Sequence, residues 1–269
     1  MPRWSSVTIA QTGTRGMTVA DPDRITTSDE VTLSVRRWSA PGARAAVVLV
    51  HGFSASSADG AVVRQADALV RAGFEVVSYD GRGHGTSGGL CTLGDLEYLD
   101  VTAAVASARA ETGLPVVVVG ASMGAIAVLR YAASAVERPA GIVAISCPAA
   151  WRTPRTLRAM LATGLTQTRM GRRIAARLLG ARLAAGWNNP DPPVTLVARL
   201  EIPVAFIHGE DDHFIPSRDA VELYRTCHAP RRLDLVPGMG HAYHELAVAP
   251  VVAAVEWALA ASRVAVAAI

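Results

Sequence analysis

The chain has 269 residues, enough for one large α/β domain with an insertion or for two domains, and its three cysteines are too few for a small disulfide scaffold. It is 51% hydrophobic and 18% charged, a balance that excludes a disordered chain. The net charge of +3 is mild and its basic side is entirely arginine, since lysine is absent; nothing in it marks a nucleic-acid binder.

From about residue 30, strand-like and helix-like runs alternate, the pattern of a mostly parallel sheet covered by helices. Val31 to Trp38 alternates apolar with polar residues, as an edge strand with one wetter face does. The runs Val47 to Val50, Val76 to Tyr79, Val116 to Val119, Ile142 to Ile145 and Val204 to Ile207 are short, continuously apolar and rich in β-branched residues, which predicts buried central strands. Helices are predicted over Val62 to Ala72, Leu93 to Glu111, Met123 to Ala133, Ser217 to Cys227 and Ala247 to Arg263. The last of these is the most apolar stretch, but Glu256 interrupts it, so it reads as a packed helix and no integral membrane segment is expected.

One segment breaks the alternation. Between Ala149 and Arg199 there is no strand-like run; two helices are expected, over Pro154 to Ala162 and Thr166 to Ala185, followed by the proline-rich Asn189-Pro190-Asp191-Pro192-Pro193. The expected organisation is therefore a core formed by residues 1–148 and 200–269, with residues 149–199 inserted as a helical cap over the carboxyl edge of the sheet. That cap is basic, because no Asp or Glu occurs between Glu137 and Asp191 while nine arginines do. On Thr166 to Ala185, Met170, Ile174, Leu178 and Leu183 suggest an apolar stripe over a pocket, with Arg169, Arg172, Arg173 and Arg177 opposite. Arg172 and Arg173 are candidates for holding an anionic substrate group or touching a membrane surface; the alternative is a solvated helix face.

The sharpest motif is Gly120-Ala121-Ser122-Met123-Gly124, between the valine strand and a helical run. A strand that turns abruptly into a helix strains the central residue, lifts its side chain clear, and leaves no room for side chains two positions away. The serine hydroxyl then stands at a helix N-terminus, where developing negative charge is favoured. A serine hydroxyl needs a base and a group to orient that base. Both follow in the chain: Gly209-Glu210-Asp211-Asp212 past a buried strand, then Gly238-Met239-Gly240-His241 at the end of the next one. Asp211 and Asp212 compete as the acid.

With His51-Gly52-Phe53 and Asp80-Gly81-Arg82-Gly83-His84-Gly85-Thr86-Ser87 these motifs stand in an order that resembles the α/β-hydrolase fold superfamily over about Arg24 to Ala261. The His-Gly and Gly-His-Gly-x-Ser pieces are similar to its monoacylglycerol lipase, esterase and serine aminopeptidase-like branch. A Glu-His pair often found after His-Gly in that branch is absent, so the resemblance does not extend to a glyceride substrate. It implies Ser122 as nucleophile, His241 as general base and then acid, Asp212 as the group orienting His241, and the Phe53 and Met123 amides as an oxyanion hole.

The expected reaction is hydrolysis of a small-molecule carboxylic ester, with no metal and no cofactor; thioester or amide cleavage and acyl transfer use the same parts, and a non-catalytic binding protein is the remaining alternative. His51 and His84 are expected to be structural hydrogen-bonders, His208 a satisfied core histidine, and His244 a surface or supporting residue with a substitute base as its alternative. Asp80 is expected to tie down the Arg82 loop, and Cys147 to be inert packing. The widely spaced Cys91, Cys147 and Cys227 show no metal-ligand pattern and suit a reducing compartment. The opening Met1-Pro2-Arg3-Trp4 lacks the apolar run of a secretory leader, so a cytoplasmic location is expected.

Overall fold

A computed structural model describes residues 23–151, 168–186 and 188–267. Among them, eight strands form one sheet in the order β1-β2-β4-β3-β5-β6-β7-β8. The strands are β1 (Asp23–Thr26), β2 (Thr32–Trp38), β3 (Ala46–Val50), β4 (Glu75–Tyr79), β5 (Val116–Ala121), β6 (Gly141–Ile145), β7 (Val204–Gly209) and β8 (Arg231–Val236). β2 pairs antiparallel with β1 and β4, and every other pairing is parallel. This is the α/β-hydrolase fold.

The valine runs become the centre of the sheet because both faces of those strands are covered. Along β3, Ala46, Val48 and Val50 enter one core layer while Val47 and Leu49 enter the other; along β5, Val116 and Val118 separate in the same way from Val117 and Val119. The first layer is closed by α2 (Glu97–Thr112) and α3 (Met123–Ser134), the second by α1 (Gly60–Arg71) and the last helix, α6 (Val248–Ala267). The segment Glu245–Val264 is long and apolar enough, by composition alone, to cross a bilayer. In the fold it lays Val251, Ala254, Val255, Ala258 and Leu259, spaced as one helical face, against the sheet.

Two elements begin differently from expectation. β1 is absent from the sequence reading because its four residues, Asp-Arg-Ile-Thr, carry no apolar run and are held by backbone pairing with β2. α2 starts at Glu97 rather than Leu93, since the Glu97 carboxylate turns back to accept hydrogen bonds from the amides of Thr92 and Gly94.

In the inserted region the expected helix Pro154 to Ala162 lies outside the described residues. The second expected helix is shorter: α4 spans Arg169–Leu178, after which the chain turns back. Arg182 N–H then donates to Gly83 O, Cys91 N–H to Arg182 O, and Ala184 N–H to Cys91 O, pinning the segment to the loop after β4. The apolar stripe is also corrected. Gly171 and Ala175 are the buried positions of α4, whereas Met170, Ile174 and Leu178 are exposed; only Leu183, beyond the helix, packs inward. The residues that turn inward on this helix are thus the small ones. The chain rejoins the core before residue 199, since Leu196 and Val197 of α5 (Pro193–Val197) are buried in the same layer as α3.

The loop after β4 is anchored by a buried ion pair. The Arg82 guanidinium donates to Asp100 at 2.9 Å and to Asp29 at 2.8 Å, and the Asp100 side chain is fully buried. Asp100 also accepts the Arg82 amide at 2.8 Å. Burial raises the Asp100 carboxyl to about 6 even with that guanidinium beside it. Arg82→Met leaves the Asp100 carboxyl buried without its partner, and urea denaturation is expected to show a loss of about 3–5 kcal/mol.

Between β5 and α3 the chain turns at Ser122, which has φ 55° although it is not glycine. The flanking glycines are required by space: a Cβ on Gly120 would sit 2.4 Å from Gly124 O, and one on Gly124 would sit 2.6 Å from the carbonyl oxygens of both Val50 and His51. These are backbone atoms that no rotamer change can move. Gly124→Ala is expected to cost about 1–3 kcal/mol in thermal or chemical denaturation, the range for overpacking a rigid core.

Candidate active site

The carboxyl ends of β5, β7 and β8 bring together three side chains far apart in sequence. Ser122 caps β5 at the turn into α3, Asp212 follows β7, and His241 follows β8. His241 Nε2 lies 2.9 Å from Ser122 Oγ, and His241 Nδ1 lies 2.7 Å from Asp212 Oδ2. Of the two candidate acids it is Asp212 that meets His241; Asp211 is exposed. The Asp212 carboxylate is heavily solvated by protein. Its Oδ1 accepts the amides of Phe214 and Ile215, each at 2.9 Å, while Oδ2 faces His241. Burial alone pushes this carboxyl up, but donors from His208, His241 and the Ile215 amide outweigh it and hold it well below the usual carboxylate range.

The loop carrying His241 is held at three points that sequence reasoning did not anticipate. The buried Tyr243 hydroxyl donates to Val50 O at 3.1 Å, reaching under the loop to β3. The Ala242 amide donates to Ser146 Oγ at 3.1 Å, and both residues have positive φ, 60° and 48°. Asp211 N–H donates to Met239 O, tying this loop to the one that carries the acid. The available sequence signals were the Tyr two places after His241 and the Ser directly after β6. His244 caps the short helix that follows by accepting from the Leu246 amide at 3.3 Å, which places it as a supporting residue.

Opposite His241 lies the loop after β3. A Cβ on Gly52 would meet Ser122 Cβ at 3.3 Å, so this loop passes directly against the serine turn. The Phe53 side chain packs against the small cluster of Cys91, Met123, Ala175 and Leu183. His51 fastens the arrangement: its Nε2 accepts the Gly81 amide at 2.8 Å and its Nδ1 donates to Gly52 O at 2.7 Å. Burial and the neighbouring His84 bring His51 down to about 4, so it is neutral near pH 7. His84 accepts the Ser54 amide at 3.2 Å. Asp80 accepts from the Ser57 amide and hydroxyl and from the Thr86 amide, tying two loops rather than one. Cys147 and Cys91 are buried, and burial pushes both thiols up.

A cavity of about 490 Å³ opens on Ser122 and His241; Gly52, Ala55 and Val62 form part of its wall, and Asp59, Arg64 and Glu245 add charge. Arg172 and Arg173 do not line this cavity; both sit on α4. Among the described residues no cluster of three or more His, Cys, Asp or Glu side chains could hold a metal ion.

Residues 41–194 match the family model for serine aminopeptidase, S33. The Bacillus subtilis (strain 168) protein YqkD, itself uncharacterized, is 30% identical over 175 residues; the match covers 63% of this chain and spans only 56% of that relative. Among solved structures, the Pyrococcus furiosus esterase Pf2001 is similar with TM-score 0.66 and 25% identity, covering 93% of this chain and 90% of that one. A Paleococcus ferrophilus monoacylglycerol lipase superposes with TM-score 0.63 and 21% identity over 85% of this chain and 99% of that one, a likeness of fold. The chain therefore belongs to the serine aminopeptidase S33 family of α/β hydrolases.

Proposed function

We propose that this protein is a serine hydrolase that cleaves small carboxylic esters through an acyl-enzyme on Ser122. The observation that carries the reading is the continuous hydrogen-bonded chain from Ser122 Oγ through His241 to Asp212 beside an open cavity. His241 takes the hydroxyl proton as Ser122 attacks the carbonyl carbon, and the charge that collects on the carbonyl oxygen is received by the amides of Met123 and Phe53. The tetrahedral species expels the alcohol, which leaves with the proton from His241. Water, deprotonated by the same imidazole, then releases the acid and restores Ser122. Asp212 holds His241 with its proton on Nδ1, leaving Nε2 free to accept.

In this reading the insertion supplies a cap, with α4 packed beside Cys91 and Leu183. A second reading, amide cleavage at an amino-terminal residue, is favoured by the family description and by Asp59 and Glu245 on the cavity wall, which suit a free ammonium group. A panel of p-nitrophenyl esters, acyl thioesters and aminoacyl amides ranks these substrates by kcat/KM.

A fluorophosphonate probe is expected to label the wild-type chain and to leave Ser122→Ala unlabelled; an unlabelled wild type points instead to a binding protein. Asp212→Asn is expected to lower kcat by about 10⁴-fold while the fold is retained, because the imidazole loses the acceptor that sets its tautomer. Neither arginine lines the cavity, so the pair acts only through its field: Arg172→Glu with Arg173→Glu is expected to lower turnover of anionic relative to neutral esters, an effect that fades with added salt. An unchanged ratio across salt removes these two arginines from substrate binding.

A further inference from the structure

β7 places Val204, Phe206 and His208 on one face, where the first two are ordinary core residues. His208 is fully buried at the carboxyl end of the strand, so a third apolar side chain would be the expected occupant. Instead its Nε2 lies 2.9 Å from Ile215 O and 3.4 Å from Asp212 Oδ2. Both neighbours are acceptors, which fixes the ring proton on Nε2. Among the described residues its buried Nδ1 has no hydrogen-bond partner, so the expectation of a satisfied core histidine holds for only one of its two nitrogens. An imidazole left half-satisfied in a core is a cost that packing does not repay.

We propose that His208 is a positioning residue for the reaction, acting through Asp212: one N–H grips the turn at Ile215 and leans on the same carboxylate oxygen that holds His241. This rests on the reading of Ser122, His241 and Asp212 given above. The turn matters because the Phe214 and Ile215 amides are the donors to the other oxygen of Asp212. His208 thus closes a ring in which β7 fixes the turn, the turn fixes Oδ1, and the imidazole shares Oδ2. Sharing also divides the carboxylate charge between two imidazoles. With His208 removed, more of that charge falls on His241 Nδ1, the imidazolium of His241 is favoured, and the base works only at higher pH.

The experiment compares His208→Leu, His208→Gln and His208→Asn by kcat/KM against pH on a short p-nitrophenyl ester, with fluorophosphonate labelling as a second readout. His208→Leu is expected to lose roughly 10-fold in kcat/KM, the scale of one lost hydrogen bond, and to move the acidic limb to higher pH. Gln reaches the position of Nε2 with its amide nitrogen and is expected to restore the limb toward wild type; Asn, too short to reach, is not. This polar pair keeps the test decisive if the Leu variant does not fold. The other ionisable groups around the cavity, Asp59, Arg64, His244 and Glu245, are the same in every variant. A labelled wild type whose Leu, Gln and Asn variants all keep the wild-type limb overturns the positioning role alone. A wild type that neither labels nor turns over ester overturns the hydrolase reading and this inference with it.

Discussion

The site hangs on a buried negative charge. A carboxylate taken out of water is expensive unless donors surround it, and Asp212 has the amides of Phe214 and Ile215 on one oxygen with His241 and His208 on the other. Each donor constrains something further along. The amides demand a tight turn directly after β7, and His241 demands that the loop after β8 come back across the sheet edge. Loop positions that look independent in the chain are thus fixed by one group's need for hydrogen bonds.

The serine side answers to a different constraint, that of space. The turn from β5 into α3 must pass so near β3 that the Cβ of any residue at 124 would strike the carbonyls of Val50 and His51. That same closeness brings Gly52 against Ser122 and lets Tyr243 reach Val50. Close packing of backbone in the sheet and hydrogen bonding in the loops are therefore two halves of one arrangement: the first sets where the hydroxyl stands, the second brings the imidazole to it.

The central strands were legible because burial on both faces demands continuous apolar runs, and the runs at 47–50, 116–119, 142–145 and 204–207 all became interior strands. The glycines around Ser122 were legible for a similar reason, since a steric rule leaves its mark at fixed spacing. What the sequence concealed were contacts whose partners are distant and chemically ordinary. A serine after β6 and a tyrosine two places past His241 have many uses, and only the folded distances show them gripping the His241 loop. Hydrophobicity alone does not give the face of α4: Gly171 and Ala175 are its buried positions, while Met170 and Ile174 are exposed.

His208 shows why polar residues on buried strands repay attention. Strand alternation puts residue 208 on the same face as Phe206, and a purely structural logic would fill it with carbon. A histidine there costs desolvation energy, has no partner for Nδ1 among the described residues and offers a single N–H, aimed at a turn and at a carboxylate. Replacing that N–H with a methyl group would improve the core and loosen the carboxylate. Stability and orientation of Asp212 pull in opposite directions at this one position, and the residue present is the one that favours orientation.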